Sequence, residues 1–314
     1  MGEITVVGSL NVDIVAFTKD YPKHGETHFG ERMLTLPGGK GANQAVTSAR
    51  LGKAVQMIGS IGTDFYGDSM VKAMQDNGVD TSYIRRAEEH STGCAIITVD
   101  HTAENTMLVI KGANDCLSAK DIQDAFANIE NSKILLVQME IPEEAIIEAM
   151  VQAKKKEMFV ILDPAPADGI VKHALPYADL IVPNQQETKE LTGIDVTDID
   201  SAIQAGEYFD RLGVKNSIIK MGDKGSLVYK QGKVEYVEAI KVKAIDTVGA
   251  GDSYAGAIGF ALADGTNLVA AAQFASIVAA IKVSKRGAQA GIPTLDEVNQ
   301  FCLEKDISYY LLDA

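Results

Sequence analysis

The stretch "KILLVQMEIPEEAIIEAMVQAKKKEMFVILDPA", residues 133–165, sets two short apolar runs on either side of a helix-like segment. KILLVQM (133–139) and FVILDPA (159–165) are rich in Val, Ile and Leu and end at polar or proline residues. Runs of this kind read as strands buried on both faces, as in a parallel sheet. EEAIIEAMVQAKKK (143–156) carries a helical pattern, so the stretch predicts a βαβ unit. Working outward, EITVVGS (3–9), DLIVPN (179–184) and NSIIKMG (216–222) add strands of the same type. GANQAVTSARLG (41–52), DSMVKAMQDNG (68–78), QETKELTG (186–193) and SAIQAGEYFDRLG (201–213) add helices, several closing on a Gly suited to a left-handed cap. The alternation predicts an α/β protein with helices on both faces of its sheet. Residues 13–36 and 93–110 break the rhythm, with strand patterns and no helix between them, the second shaped like a hairpin around His101–Asn105. They predict a small antiparallel sheet projecting from the main domain.

Composition narrows the function. At 314 residues the chain is long for one average domain but ordinary for a large α/β domain with an insertion. The formal charge of −14 leaves no global basic footprint for nucleic acid or an anionic membrane. Cys94, Cys116 and Cys302 are odd in number and far apart, which suits a reducing compartment and argues against a disulfide framework or zinc cluster. No signal-peptide pattern opens the chain, and the longest apolar run, LVAAAQFASIVAAI (268–281), is short and Ala-rich for a membrane span. The expectation is a cytoplasmic protein.

Familiar nucleotide and catalytic motifs fail. Gly249 and Gly251 would need a third Gly at 254 for a dinucleotide fingerprint, and Tyr254 stands there. PGGKGAN (37–43) lacks the spacing and hydroxyl residue of a Walker A loop. There is no His-Glu-x-x-His, Cys-x-x-Cys or Gly-x-Ser-x-Gly string. Four polar constellations remain. GSLNVD (8–13) sets Asn11 and Asp13 two residues apart, on one face if the segment is a strand; a polar turn is the other reading. LPGGKGANQA (36–45) brings Gly39, Lys40 and Asn43 to a helix entry, where they offer close backbone approach and donors, or only a turn and cap. In VPNQQE (182–187), Asn184 and Glu187 have capping-box spacing. DTVGAGDSYAGA (246–257) places Asp252 where an N-cap aspartate would sit. The small residues Gly249, Ala250 and Gly251 ahead of it leave backbone amides open to an anion. A carboxylate beside a bound phosphate repels it, unless it takes the proton of a hydroxyl attacking phosphorus. That combination suggests phosphoryl transfer to an alcohol.

These motifs, with GSIGTDFYGD (59–68), QMEIP (138–142), DPAPA (163–167) and KRGAQAGIP (285–293) in the same order, resemble the ribokinase-like family of carbohydrate kinases over nearly the whole chain. The resemblance implies a doubly wound, mostly parallel α/β domain (1–12, 37–92 and 111–314) binding nucleotide and sugar, and a β-sheet lid (13–36 and 93–110) that forms a homodimer contact. It implies ATP-dependent phosphorylation of a sugar's terminal hydroxyl, with Mg²⁺ and a monovalent cation, K⁺. By position, Asp252 matches the catalytic base and the amides of Gly249, Ala250 and Gly251 the anion hole. Asn11, Asp13, Gly39, Lys40, Asn43 and Glu140 match the sugar contacts, with residue types that favour D-ribose. Asn184 and Glu187 match the motif that organises Mg²⁺ and the ATP phosphates through water. Lys220, Gly222, Gly225 and Ser276 fall at the nucleotide, and Asp246, Val248, Lys282, Lys285, Gly287 and Gly291 at the monovalent cation. Three departures stand out: Lys220 where Thr is common, Gly291 where a Ser often joins the cation site, and Asp163 where Asn often precedes PAPA. The alternatives are a kinase of the same family acting on fructose, deoxyribose or a nucleoside, and a non-catalytic sugar- or nucleotide-binding regulatory protein.

Overall fold

In chain order the elements are β1 (Ile4–Val7), β2 (Asn11–Phe17), β3 (Arg32–Gly38), α1 (Lys40–Arg50), β4 (Val55–Gly62), α2 (Phe65–Asp76), β5 (Val79–Ala87), β6 (Gly93–Val99) and β7 (Asn105–Ile110). There follow α3 (Ala119–Ala127), β8 (Ile134–Val137), α4 (Glu143–Lys155), β9 (Phe159–Leu162), β10 (Leu180–Ile181), α5 (Gln185–Thr192), α6 (Ile199–Arg211) and β11 (Asn216–Lys220). The chain closes with β12 (Ser226–Lys230), β13 (Lys233–Val237), α7 (Ala250–Ala263), α8 (Leu268–Val283) and α9 (Leu295–Lys305). This computed structural model describes residues 2–102, 104–169 and 171–311.

Nine strands form one sheet in the order β13-β12-β11-β10-β9-β8-β1-β4-β5. From β11 to β5 every neighbouring pair is parallel, and β12 and β13 add antiparallel strands at the edge. The opening stretch is the βαβ unit its pattern predicts. β8 and β9 pair in parallel from Ile134↔Phe159 to Val137↔Leu162. All four residues of β8 are buried, each such aliphatic side chain contributing about 1.5–3 kcal/mol. Between them α4 opens on Glu143 and Glu144 and closes on Lys154 and Lys155, matching the helix dipole. It buries Ala145, Ile146, Ala149, Met150 and Ala153 against the sheet. On the other face α7 and α8 are apolar all round and almost wholly buried, as expected of helices inside a large core.

The chain leaves β1 for β4 and β5 on one side, then returns to β8 on the other. The reversal opens a crevice beyond the carboxyl ends of β1 and β8, where doubly wound sheets bind ligands. Four strands form a second sheet in the order β3-β2-β6-β7. β2·β3 and β6·β7 are antiparallel, as the sequence predicts, while the middle pair β2·β6 runs parallel, in register from Asn11↔Gly93 to Phe17↔Val99. The parallel seam arises because β6 enters from the end of the large sheet, as β2 does. Residue 103, in the β6–β7 turn, lies outside the described residues.

Candidate active site

Each parallel strand from β1 to β11 hands a polar residue to the crevice. Ser9 and Asn11 follow β1, Glu140 follows β8, Asp163 follows β9, Asn184 follows β10, and Lys220 ends β11. Two helices aim their first turns at the same place: α1 with Lys40 and Asn43, and α7 with Asp252. A cavity of about 1030 Å³ is lined by Lys40, Asp163, Asn184, Glu187, Lys220 and Asp252, and also by Gly222, Gly225, Gly249, Ala250, Gly251 and Ser276. All the residues expected at the nucleotide and anion hole thereby line one cavity.

Asp252 does not cap its helix. The N-cap of α7 is Gly249, held at φ 76° in the left-handed region, and Asp252 lies one turn in, buried, making no capping bond. The expected N-cap position is thus corrected by three residues: glycine makes the turn, and the carboxylate faces the site. It accepts one side-chain hydrogen bond, from Asn43 Nδ2 at 2.8 Å. Burial raises its pKa, against the pull of Lys40 and of the Asn43 bond, with Asp163 adding to the rise. The Asn43 Oδ1 is buried with no partner among the described residues. A buried acceptor without a donor costs on the order of 1–3 kcal/mol unless a ligand supplies one. Of the three expected anion-hole amides, that of Ala250 donates to the Thr247 carbonyl at 3.1 Å, while Gly251 is exposed to the cavity.

The expected sugar contacts gather on the other side of Asp252. Asn11 Oδ1 accepts from Asn114 Nδ2 at 2.7 Å, and Ser9 Oγ donates to Glu140 Oε2 at 2.5 Å across the β1–β8 crevice. Asn114 escapes a motif-based reading, because a lone Asn far from the motifs gives no signal; Ser9 lies inside GSLNVD, beside the more conspicuous Asn11 and Asp13. Asp13 is pushed up to about 7, first by burial and then by Glu140 and Asp252, with Lys40 opposing. Burial works against the charge of Lys40, but Asp252, Glu140, Asp163 and Glu187 outweigh it and raise its pKa. Gly39 joins β3 to α1 at φ 90°, where an added Cβ would lie 2.6 Å from the Asn11 nitrogen; only glycine fits.

Asp13 carries a testable pH signature. In the folded protein it holds its proton up to about 7, whereas the unfolded chain releases it near the ordinary aspartate value of 3.8. The folded state then binds more protons between these values, so this group's contribution to stability falls as pH rises through that window. Asp13→Asn should therefore raise the melting temperature at pH 8 more than at pH 5, and raise KM for the sugar. Melting curves at the two pH values check it; an equal shift at both would remove the assignment.

At the nucleotide end the capping box is real: Asn184 Oδ1 accepts from Glu187 N at 2.9 Å, and Glu187 Oε2 accepts from Asn184 N at 2.7 Å. Burial raises the pKa of Glu187, with Lys220 opposing and Asp163 adding. Two departures noted in the sequence are partners in space. Lys220 Nζ lies 3.2 Å from Asp163 Oδ1, with side chains 13% and 2% exposed. Asp163 also accepts from Gln44 Nε2 at 2.8 Å, and Gln44 Oε1 accepts from Gln138 Nε2 at 2.7 Å. Lys220 Nζ stands 3.6 Å from the place a Cβ would take on Gly251, at the mouth of the anion-receptive turn. Its pKa is raised: Asp163, Glu187 and Asp252 outweigh the burial that opposes its charge.

The residues expected at a monovalent cation also converge, with one side chain unforeseen. Asp246 Oδ1 accepts from Val248 N at 3.0 Å and Oδ2 from Gly287 N at 2.8 Å. The Lys282 carbonyl accepts from Lys285 N at 3.0 Å, and the Gly287 carbonyl from Gly291 N at 3.0 Å. Lys282, fully buried, turns its ammonium inward and donates to the Asp246 carbonyl at 2.9 Å. A monovalent ion on that carbonyl would have to share it with the ammonium, so the loop as folded does not fit the expected K⁺. The Lys285 ammonium instead pairs outward with Glu297 Oε1 at 2.5 Å.

The chain is similar in sequence and fold to known carbohydrate kinases. The pfkB family carbohydrate kinase profile matches residues 1–295. The chain is 39% identical over 298 residues to the ribokinase of Haemophilus influenzae, covering 95% of this chain and 97% of that protein. The crystal structure of Thermotoga maritima ribokinase superposes with a TM-score of 0.88 at 39% identity, over 96% of this chain and 100% of the other. Arabidopsis thaliana ribokinase, solved in complex with ribose and ATP, gives a TM-score of 0.89 at 32% identity, over 96% and 98% of the two chains. The chain belongs to the pfkB family of carbohydrate kinases.

Proposed function

We propose that this carbohydrate kinase transfers the γ-phosphoryl group of ATP to the 5-hydroxyl of D-ribose, with Asp252 as the general base. The observation that carries the reading is the Asn43–Asp252 pair, a buried carboxylate of raised pKa held by one amide whose own oxygen is unpartnered. That oxygen awaits a hydroxyl donor, and the carboxylate stands where the large cavity meets the sugar residues. Two ribokinases, at 39% and 38% identity over nearly the whole length, stand above deoxyribokinases matched over the same length at 34%, which supports ribose among the sugars.

In this reading ribose lies among Asn11, Asp13, Gly39, Lys40, Asn43 and Glu140, beneath the small sheet. Its 5-hydroxyl points at Asp252. The carboxylate takes the hydroxyl proton as the oxygen bonds to the γ-phosphorus and the bond to the ADP oxygen breaks. Amides at the head of α7, that of Gly251 foremost because the Ala250 amide is engaged by the Thr247 carbonyl, receive charge on the phosphoryl oxygens, and Lys40 and Lys220 supply positive charge beside it. The adenosine end of ATP occupies the cavity along Gly222, Gly225 and Ser276. Glu187 and Asn184 would fit a Mg²⁺ carried by the phosphates and met through water, because both line the cavity and Glu187 presents a buried carboxylate there. That ion supplies neutralisation of phosphate charge; among the described residues no group of three or more His, Cys, Asp or Glu could hold a metal by itself.

The small sheet closes over the sugar as a lid and excludes water, suppressing ATP hydrolysis. Its exposed apolar residues, Met33 and Leu34 on β3 and Met107, Leu108 and Val109 on β7, support a homodimer formed through the lid. No helix among the described residues is long and apolar enough to cross a membrane. Three free cysteines support a cytoplasmic setting. A sugar panel with ADP release as readout tests the substrate. Ribose should give the highest kcat/KM among ribose, deoxyribose, fructose and nucleosides; a higher value for any other member transfers the assignment to that sugar.

A further inference from the structure

We infer that the ammonium of Lys282 takes the place of a monovalent cation behind the anion hole, so that this kinase works without added K⁺. The inference rests on the kinase reading above but concerns a side chain to which that reading gives no role. Lys282 lies in the last turn of α8, and a lysine fully buried there requires acceptors for its charge. Its Nζ finds the Asp246 carbonyl at 2.9 Å and stands 3.9 Å from Asp246 Oδ1. These are oxygens that a K⁺ ion in this loop would use.

Two further features fit a built-in cation. The carbonyls of Lys282 and Gly287 already accept backbone hydrogen bonds that close the loop on itself. Gly291 provides room for the lysine: a Cβ there would lie 3.3 Å from Lys282 Cε and 2.8 Å from the Gly287 oxygen. A serine in that place would crowd the ammonium's stem, so the missing hydroxyl ligand and the inward lysine are two sides of one arrangement.

The ammonium reaches the chemistry through Asp246. One carboxylate oxygen of Asp246 holds the Val248 amide and the other holds Gly287, tying the start of the anion-receptive turn to the loop after α8. Gly249 follows at once and caps α7. Lys282 is thus a positioning residue, fixing the turn whose amides face the phosphoryl group. Asp246 and Asp252 both favour its charge, although burial, the largest influence, pulls its pKa down.

The test compares KCl with tetramethylammonium chloride at equal ionic strength, reading ribose-dependent ADP release and thermal melting. The wild-type chain should show the same kcat in both salts and no K⁺-specific rise in melting temperature. Lys282→Ala, which vacates the position, should lose roughly 5- to 150-fold in tetramethylammonium, the usual range for coupling between sites, and recover in KCl with a K⁺-specific rise in melting temperature. Lys282→Met keeps the stem and removes the charge, so it should lose activity in both salts without recovery; it also stands in should the alanine variant fail to fold. Wild-type activity that climbs several-fold with K⁺ would overturn the inference, as would full activity of either variant in tetramethylammonium. Absence of ADP release from the wild type in both salts would instead count against the ribose-kinase reading.

Discussion

Asp252→Asn is expected to lower kcat by about 10²- to 10⁴-fold, the usual worth of a general base. The substitution keeps volume and an acceptor for Asn43, whose Nδ2 donates to the carboxylate at 2.8 Å, so the local structure should survive. Ribose and ATP should still bind, as isothermal titration can establish. The wild-type rate should fall as pH drops, because the base works only when ionised. Burial raises its pKa, so that acid limb should lie above the ordinary carboxylate range. The limb should vanish in the variant. A variant with near-normal turnover would remove Asp252 from the role.

Lys220→Thr is expected to cost stability. It strips the ammonium from Asp163, which is 2% exposed and 3.2 Å away. Removing one partner of a buried pair costs about 3–5 kcal/mol, because the remaining charge has lost its compensation. Asp163 keeps the Gln44 bond, and Lys40 lies in the same cavity, which places the loss toward the lower end. At about 2 °C per kcal/mol for a chain of this size, the melting temperature should drop by roughly 6 °C. Lys220→Thr combined with Asp163→Asn should recover most of it, since no charge is then left buried alone. Thermal melts of the two single variants and the double close the cycle. Additive losses would mean that the two residues act independently.

The fold was legible where one physical signal dominated. β8, α4 and β9 combine unbroken aliphatic runs with an amphipathic helix, and their packing follows the pattern. β4 escaped notice because Gly59 and Gly62 and the polar Gln56 and Ser60 interrupt its apolar run, although all eight of its residues are buried. The β12–β13 hairpin turns through Gln231 and Gly232, both at positive φ, and Gln is a weak turn signal. Parallel pairing of β2 with β6 was also out of reach, since strand pattern alone does not tell neighbour direction.

In the site, Gly39, Lys40, Asn43 and the Gly249–Asp252 segment, which the glycine motifs single out, lie around one crevice in the structure. The N-cap position was misread because any acidic residue near a helix start resembles a cap, and only the backbone shows that Gly249 makes the turn. Lys220 and Asp163 looked like unrelated departures because 57 residues separate them. Lys282 is among the residues expected at the cation, but its place in the sequence does not show that its ammonium turns inward onto the Asp246 carbonyl. Pairing across such distances in sequence is decided by the order of strands, which a single sequence does not display.

Phosphoryl transfer to the 5-hydroxyl of ribose can be followed at the phosphorus itself. The chain is mixed with Mg²⁺, ATP and D-ribose, and ³¹P NMR is recorded with proton coupling as the reaction proceeds. ADP and one sugar phosphate should appear in equal amounts, the new signal split by the two protons of carbon 5. A phosphate signal coupled to the anomeric proton, or ATP left unchanged in the presence of ribose, would contradict that transfer.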